Sequence, residues 1–169
     1  SILHRNSGRI ENFNQRNSRL INENVYAILP DGENNFLLGT LSALVHFNPE
    51  KRSFTTVTQE SDGTPMNLQK ITTLFRDSQK RLWIGGEEGI SVFKQHGTSI
   101  QKAAILPEST VTKAFTNYIY EAANGLIWVG TREGFYCFNE KEKRIKRYTT
   151  ANGLPNNVVY GILEDSYGR

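Results

Sequence analysis

The chain is poor in the residues that carry covalent or metal chemistry. Its 169 residues include one cysteine, Cys137, and three histidines, His4, His46 and His96. A single cysteine cannot close an internal disulfide, so neither the cytosol nor an oxidising periplasm is excluded. The histidines stand apart, without metal-site spacing, and none sits in a helical pattern that suits a phosphoacceptor. No apolar run comes near the ~20 residues that span a bilayer. No basic-then-apolar start marks a signal peptide, although a mature chain can begin after a cleaved one. Charge of one sign is also scarce. The 20 basic and 17 acidic residues leave a formal +3, too weak a bias to mark a nucleic-acid binder.

The length suffices for one domain with a real core. Hydrophobic residues make up 37% and aromatics 11%, which suits a sheet-rich globular protein better than a disordered one.

An internal repeat organises the chain. Trp83 and Trp128 stand 45 residues apart, and Gly39, Gly85 and Gly130 follow intervals of 46 and 45. Phe47, Phe93 and Phe138 keep the same intervals. So do Ile28, Leu74 and Ile119, with Ile162 following 43 later. Asp31, Asp77 and Asp165 share one phase, with Ala122 in the remaining slot. The matched segments are FLLGTLSALVHF, LWIGGEEGISVF and IWVGTREGFYCF.

One unit reads as four short strands. VVYGILED is rich in β-branched and aromatic residues. A turn cluster follows (SYGR, or DGEN in an earlier copy), then LIWVGT, a short Arg-Glu-Gly turn and FYCFN. The polar turn NEKEKR leads into IKRYTT, which alternates apolar and polar. TANGLPNN closes the unit as a loop. Four strands and no helix at this period predict an all-β fold, a β-propeller of four-stranded antiparallel blades. An ordinary β-sandwich would not repeat the same Gly, Trp and Phe.

The phase sets expected boundaries. Residues 1–20 read as the end of one blade, 21–67, 68–112 and 113–157 as complete blades, and 158–169 as the first strand of a further blade. A propeller closes with roughly four to eight blades, so the expectation is part of a larger propeller.

The motif LWIGTxxGLxxF, followed by a strand and a loop of the form NGLPNN, resembles the two-component regulator propeller repeats. The resemblance spans essentially the whole chain and is clearest in GLIWVGTREGFYCFNEKEKRIKRYTTANGLPNN, Gly125 to Asn157. The second copy carries Gly86 where Thr is usual, and the first lacks both the Trp and the turn glycine. The resemblance implies the periplasmic sensor region of a Bacteroides-type hybrid two-component sensor histidine kinase. It further implies recognition of an oligosaccharide or its breakdown product, with a membrane helix, kinase, receiver and DNA-binding domain elsewhere in the parent.

Each chemical feature has a plainer structural reading. Gly130-Thr131 with Gly134 lacks the Lys of a phosphate loop and the helix that should follow. It reads as a strand-turn-strand with Gly134 at positive φ. Trp83 and Trp128 could stack on sugar rings, yet their mid-strand position reads as core. Cys137 shares its slot with Val92 and His46, with no base placed beside it, and reads as scaffold. Glu140 to Arg147 alternates sign without stacking partners and reads as a solvated hairpin.

The turns between second and third strands vary while their framework repeats: Leu41-Ser42, Glu87-Glu88 and Arg132-Glu133. In a propeller these turns share a face with the long inter-blade loops, here 58–69, 104–114 and 149–157. A ligand would meet that face or the channel mouth. Arg132, Glu133, Glu87, Glu88 and Tyr118 are therefore the ligand-binding candidates, against the alternative that each is a plain surface residue.

The reading is a ligand-sensing module with no catalytic residue, cofactor or metal of its own. Kinase activity would lie elsewhere in the parent. The implied partners are an oligosaccharide and a second parent copy in a homodimer, with no direct nucleic-acid contact and a membrane reached only through other segments. The alternatives are a lyase-type propeller enzyme, which needs titratable groups converging at the channel mouth, and a protein–protein scaffold, which needs an exposed apolar patch.

Overall fold

The computed structural model describes residues 1–66, 68–106 and 113–165. Two short strands, β1 (Ile2–His4) and β2 (Arg9–Glu11), pair as an antiparallel hairpin. Three four-stranded antiparallel sheets follow. The first holds β3 (Val25–Pro30), β4 (Phe36–Thr40), β5 (Leu44–Asn48) and β6 (Ser53–Val57). The second holds β7 (Ile71–Arg76), β8 (Leu82–Gly86), β9 (Gly89–His96) and β10 (Ser99–Lys102). The third holds β11 (Thr116–Glu121), β12 (Ile127–Thr131), β13 (Gly134–Asn139) and β14 (Arg144–Tyr148). Each pairs only sequential neighbours, and first strands of successive sheets touch. These sheets are propeller blades, as the period predicted.

The core lies in slices between blades. Because side chains alternate sides along a strand, neighbouring residues serve different slices. Leu82 and Ile84 join Leu37, Leu44 and Ile71 between the first and second blades. Trp83, between them in sequence, joins Val92, Ile119, Val129, Tyr136 and Phe138 between the second and third. Leu38, Val45, Phe47 and Phe54 face the N-terminal segment, where Leu20 and Phe13 cover them.

The repeated glycine has a steric cause. A Cβ on Gly39 would stand 2.5 Å from Ile71, and one on Gly85 would stand 2.6 Å from Thr116. A Cβ on Gly130 would reach the Val159 carbonyl at 3.0 Å. Each glycine lets the next segment press against the sheet. All three first strands also carry a register shift at the same place, Val25/Ala27, Ile71/Thr73 and Thr116/Tyr118. The shift frees a polar side chain. Thr72 then donates its hydroxyl to the Thr116 carbonyl, and Asn117 Nδ2 donates to the Val159 carbonyl at 3.0 Å.

Residues 158–165 form no ladder. They run past the end of β12 and along β11 instead, where the Val159 amide donates to the Thr131 carbonyl at 2.8 Å and the Tyr120 hydroxyl to Glu164 at 2.7 Å. A strand needs a pairing partner, and the described residues supply none beyond it. The expected strand at 158–169 lies outside the described residues from 166 onward.

Candidate functional site

One face of the molecule gathers the turns between second and third strands. Hydrogen bonds tie each turn to an inter-blade linker. The Lys70 amide donates to the Leu41 carbonyl at 2.8 Å, and the Glu87 amide to the Gln69 carbonyl at 3.3 Å. The Arg132 amide donates to the Phe115 carbonyl at 3.2 Å, and the Gly134 amide to the Asn157 carbonyl at 2.5 Å. The sharing of one face by turns and loops, expected from propeller geometry, is thus visible in the bonding. Of the expected loops, residue 67 and residues 107–112 lie outside the described residues.

The turn sequences follow from local chemistry. Thr131 donates its hydroxyl to the Gly134 carbonyl at 2.7 Å and accepts from the Glu133 amide at 3.0 Å, stapling the turn. Thr40 plays the same part toward Ala43. Gly86 replaces that Thr because the linker backbone passes close by. A Cβ there would stand 2.5 Å from the Lys70 carbonyl oxygen. Gly134 adopts φ 119°, and a Cβ would stand 2.2 Å from the Tyr148 carbonyl oxygen. The expected positive φ is present, so the glycines serve the turn and the close approach.

Among the five candidates, Arg132 and Glu133 enter a cluster. The Arg132 guanidinium carbon lies 3.8 Å from the centroid of the Phe115 ring. The Lys70 ammonium lies 5.4 Å from the same centroid. Lys70 has φ 44°, a backbone conformation uncommon outside glycine. Glu133 turns away to Arg147, whose guanidinium stands 3.5 Å from its carboxylate and donates to its carbonyl at 2.5 Å. Arg147 also overhangs the Tyr136 ring at 5.6 Å.

Tyr136 is buried, and its hydroxyl finds no hydrogen-bond partner among the described residues. Burial pushes its pKa up, with the Arg147 charge working against that and Glu133 with it.

Glu87 and Glu88 are exposed on their turn and form no ion pair among the described residues. Tyr118 is half-buried opposite Gly130 on the first strand of the third blade. No ion pair joins either glutamate to Arg132 or Lys70, and no ring contact joins Tyr118 to them, among the described residues.

The remaining residues divide as follows. Trp83 is fully buried, its indole N–H donating to Asp77 at 2.7 Å. Trp128 is only half-buried and packs on Phe135 and Tyr148, on the side of its sheet away from the second blade. Cys137 is free, and burial pushes its thiol pKa up, with Lys146 opposing. Such a thiol is a poor nucleophile. The stretch from Glu140 to Arg147 is an exposed hairpin, except that Glu140 is engaged across the seam.

Sequence reasoning missed that engagement and its relatives on the opposite edge. Asp31 accepts from Arg76 at 2.7 Å and Gln95 at 2.8 Å, and it stands 3.2 Å from His46 Nε2. Ser78 donates from its amide and hydroxyl to Glu121 at 2.6 and 2.7 Å. The shared phase of Asp31 and Asp77 was the available signal. A cavity of about 250 Å³ opens between the N-terminal segment and the first blade, lined by Phe13, Leu20, Phe36 and Phe54 among others. It holds none of the five candidates.

Comparisons with known proteins agree with this architecture. A family model described as the two-component regulator propeller matches residues 65–88. Histidine kinase P4 of Formosa agariphila is 28% identical over 154 residues, which is 87% of this chain and 11% of that protein. Two solved structures come from B. thetaiotaomicron and are extracellular domains assigned to hybrid two-component systems. For BT3049 the TM-score is 0.71 at 23% identity, covering 94% of this chain and 22% of that one. For BT4673 it is 0.76 at 21% identity, covering 98% and 22%. The chain therefore spans only a small part of each relative's length. Residues 65–88 match that propeller repeat, and the chain has the fold seen in those extracellular domains.

Proposed function

We propose, starting from a chain that carries two-component regulator propeller repeats, that it is the ligand-facing part of a sensor region outside the inner membrane. Its ligand is an oligosaccharide or a breakdown product of one. The parent signals as a homodimer through a membrane helix to a histidine kinase and controls transcription. The chain itself binds and does not catalyse.

The observation that supports this most is the construction of the turn face. Its cluster draws Lys70 and Phe115 from two successive linkers and Arg132 from the third blade's turn, all joined by the linker hydrogen bonds. A ligand seated there touches two blades at once. It can therefore favour one arrangement of blades over another, which is what a two-state signal requires.

Isothermal titration of the intact sensor region against a panel of oligosaccharides tests the reading, with analytical ultracentrifugation on the same samples. Binding of one glycan class that shifts the monomer–dimer balance is the expected result. No binding by any class, together with a monomer throughout, sinks it.

A further inference from the structure

The geometry points to an anion-binding subsite on the turn face, in which Arg132 and Lys70, both over the Phe115 ring, receive a carboxylate or sulfate carried by the ligand. It deepens the ligand-facing reading above and rests on it for the glycan, though not for the anion.

Arg132 is exposed, and its guanidinium stands 3.8 Å from the Phe115 ring centroid. Contact with an aromatic ring orients the planar group and leaves its N–H edges free. Among the described residues those N–H groups meet no acceptor and no carboxylate. Lys70, which forms no ion pair among the described residues, adds a second cation at 5.4 Å from the same centroid, so the two charges stand no further apart than those two distances combined. The Glu133 carboxylate faces Arg147 instead, and neither Glu133 nor Glu87 forms an ion pair with Arg132 or Lys70 among the described residues. Two like charges gathered at one ring raise the local positive potential, which favours an anionic group on the ligand.

Both cations are also held at the backbone. The Arg132 amide is bonded to the Phe115 carbonyl, and the Lys70 amide to the Leu41 carbonyl. Lys70 holds a positive φ of 44°, as Lys80 and Lys143 do in their own turns. A planar or tetrahedral oxyanion matches the guanidinium fork with paired hydrogen bonds. An uncharged sugar finds only a ring partly covered by Arg132. The subsite therefore discriminates by charge.

The full chain is titrated by calorimetry with three probes. These are a disaccharide ending in a uronic acid, the same disaccharide with its carboxyl reduced to an alcohol, and sodium sulfate. The variants are Arg132→Gln, Lys70→Gln and, as a control, Arg144→Gln on the exposed hairpin. The acid disaccharide is expected to bind at least ten times more tightly than the reduced one. Arg132→Gln abolishes that preference, and Arg144→Gln leaves it intact. Should Arg132→Gln fail to fold, as read by its thermal transition, Lys70→Gln reads the same contrast.

Equal affinity for acid and reduced sugars overturns the anion subsite while leaving the ligand-facing reading intact. Sulfate binding that depends on Arg132, with neither sugar bound, keeps the subsite and removes the glycan. No binding of any probe overturns the subsite.

Discussion

Arg81 of the second blade grips both carboxylate oxygens of Glu140 in the third, Nη1 to Oε1 at 2.7 Å and Nη2 to Oε2 at 2.8 Å. Its Nε donates to Asp77 at 2.6 Å, and its backbone amide donates to the same carboxylate at 2.8 Å. One side chain therefore closes a turn and clamps two blades. Burial disfavours the Arg81 charge, but its bonds to Glu140 and Asp77 outweigh that and raise its pKa. Arg81→Ala is expected to lower stability by about 1.5–3 kcal/mol, the range for hydrogen bonds to charged groups. Arg81→Lys recovers less than half, because a point-like ammonium cannot hold Asp77 and both oxygens of Glu140. Urea unfolding midpoints measure both. A loss under about 0.5 kcal/mol, typical of a plain surface change, would show the clamp to be ornamental.

The same pair sets an acid limit. The hydrogen bonds from Arg81 hold the Glu140 carboxyl below its ordinary value of 4.5, outweighing burial, which acts the other way. A lowered folded pKa means the stabilisation is full above 4.5 and is lost as pH falls through the lowered value. Glu140→Gln removes this dependence, so its melting temperature should fall less steeply than that of the parent chain below 4.5. Melting curves across an acid pH series decide it, and parallel acid limbs would take Glu140 out of the account.

Two glycines separate backbone strain from crowding. Gly32 has φ 72° with nothing within 4 Å of an added Cβ. Gly134 has φ 119° with the Tyr148 carbonyl oxygen 2.2 Å away. Gly32→Ala is expected to cost about 1–2 kcal/mol for left-handed backbone alone. Gly134→Ala should cost about 1–3 kcal/mol more for the forced displacement. Equal costs in thermal unfolding would mean that β14 moves freely away from the turn.

The Tyr136 hydroxyl is buried without a partner among the described residues. Leaving such a group unpaired costs about 1–3 kcal/mol. Tyr136→Phe is therefore expected to raise stability, by about 1 kcal/mol once the small cavity is counted. A decrease in the denaturation midpoint would reveal a bound water or ligand on that hydroxyl.

The scaffold and the site differ in how far the sequence shows them. Trp83, Gly85 and Phe93 recur because each occupies a fixed place in a short ladder, and a ladder is made within one blade. Arg132 and Glu133 were visible as the variable pair inside a repeated turn. Phe115 and Lys70 were not, because they lie in linkers where the repeat leaves no fixed pattern. Trp128 read as core like Trp83, yet only Trp83 has a whole blade packed on its face.

The amino-acid order by itself determined the blade: its four strands, its turns and the glycines that let neighbours approach. Those features depend on spacing within about 45 residues, and alternation and turn chemistry act over that range. Only the tertiary structure decided which side chains cross the seams. Arg81 meets Glu140, Asp31 meets Gln95, and Arg132 meets Phe115, with Lys70 on the same ring. The first two join residues 59 and 64 positions apart. Such contacts depend on how one twisted sheet settles on the next, a packing angle that no local pattern encodes.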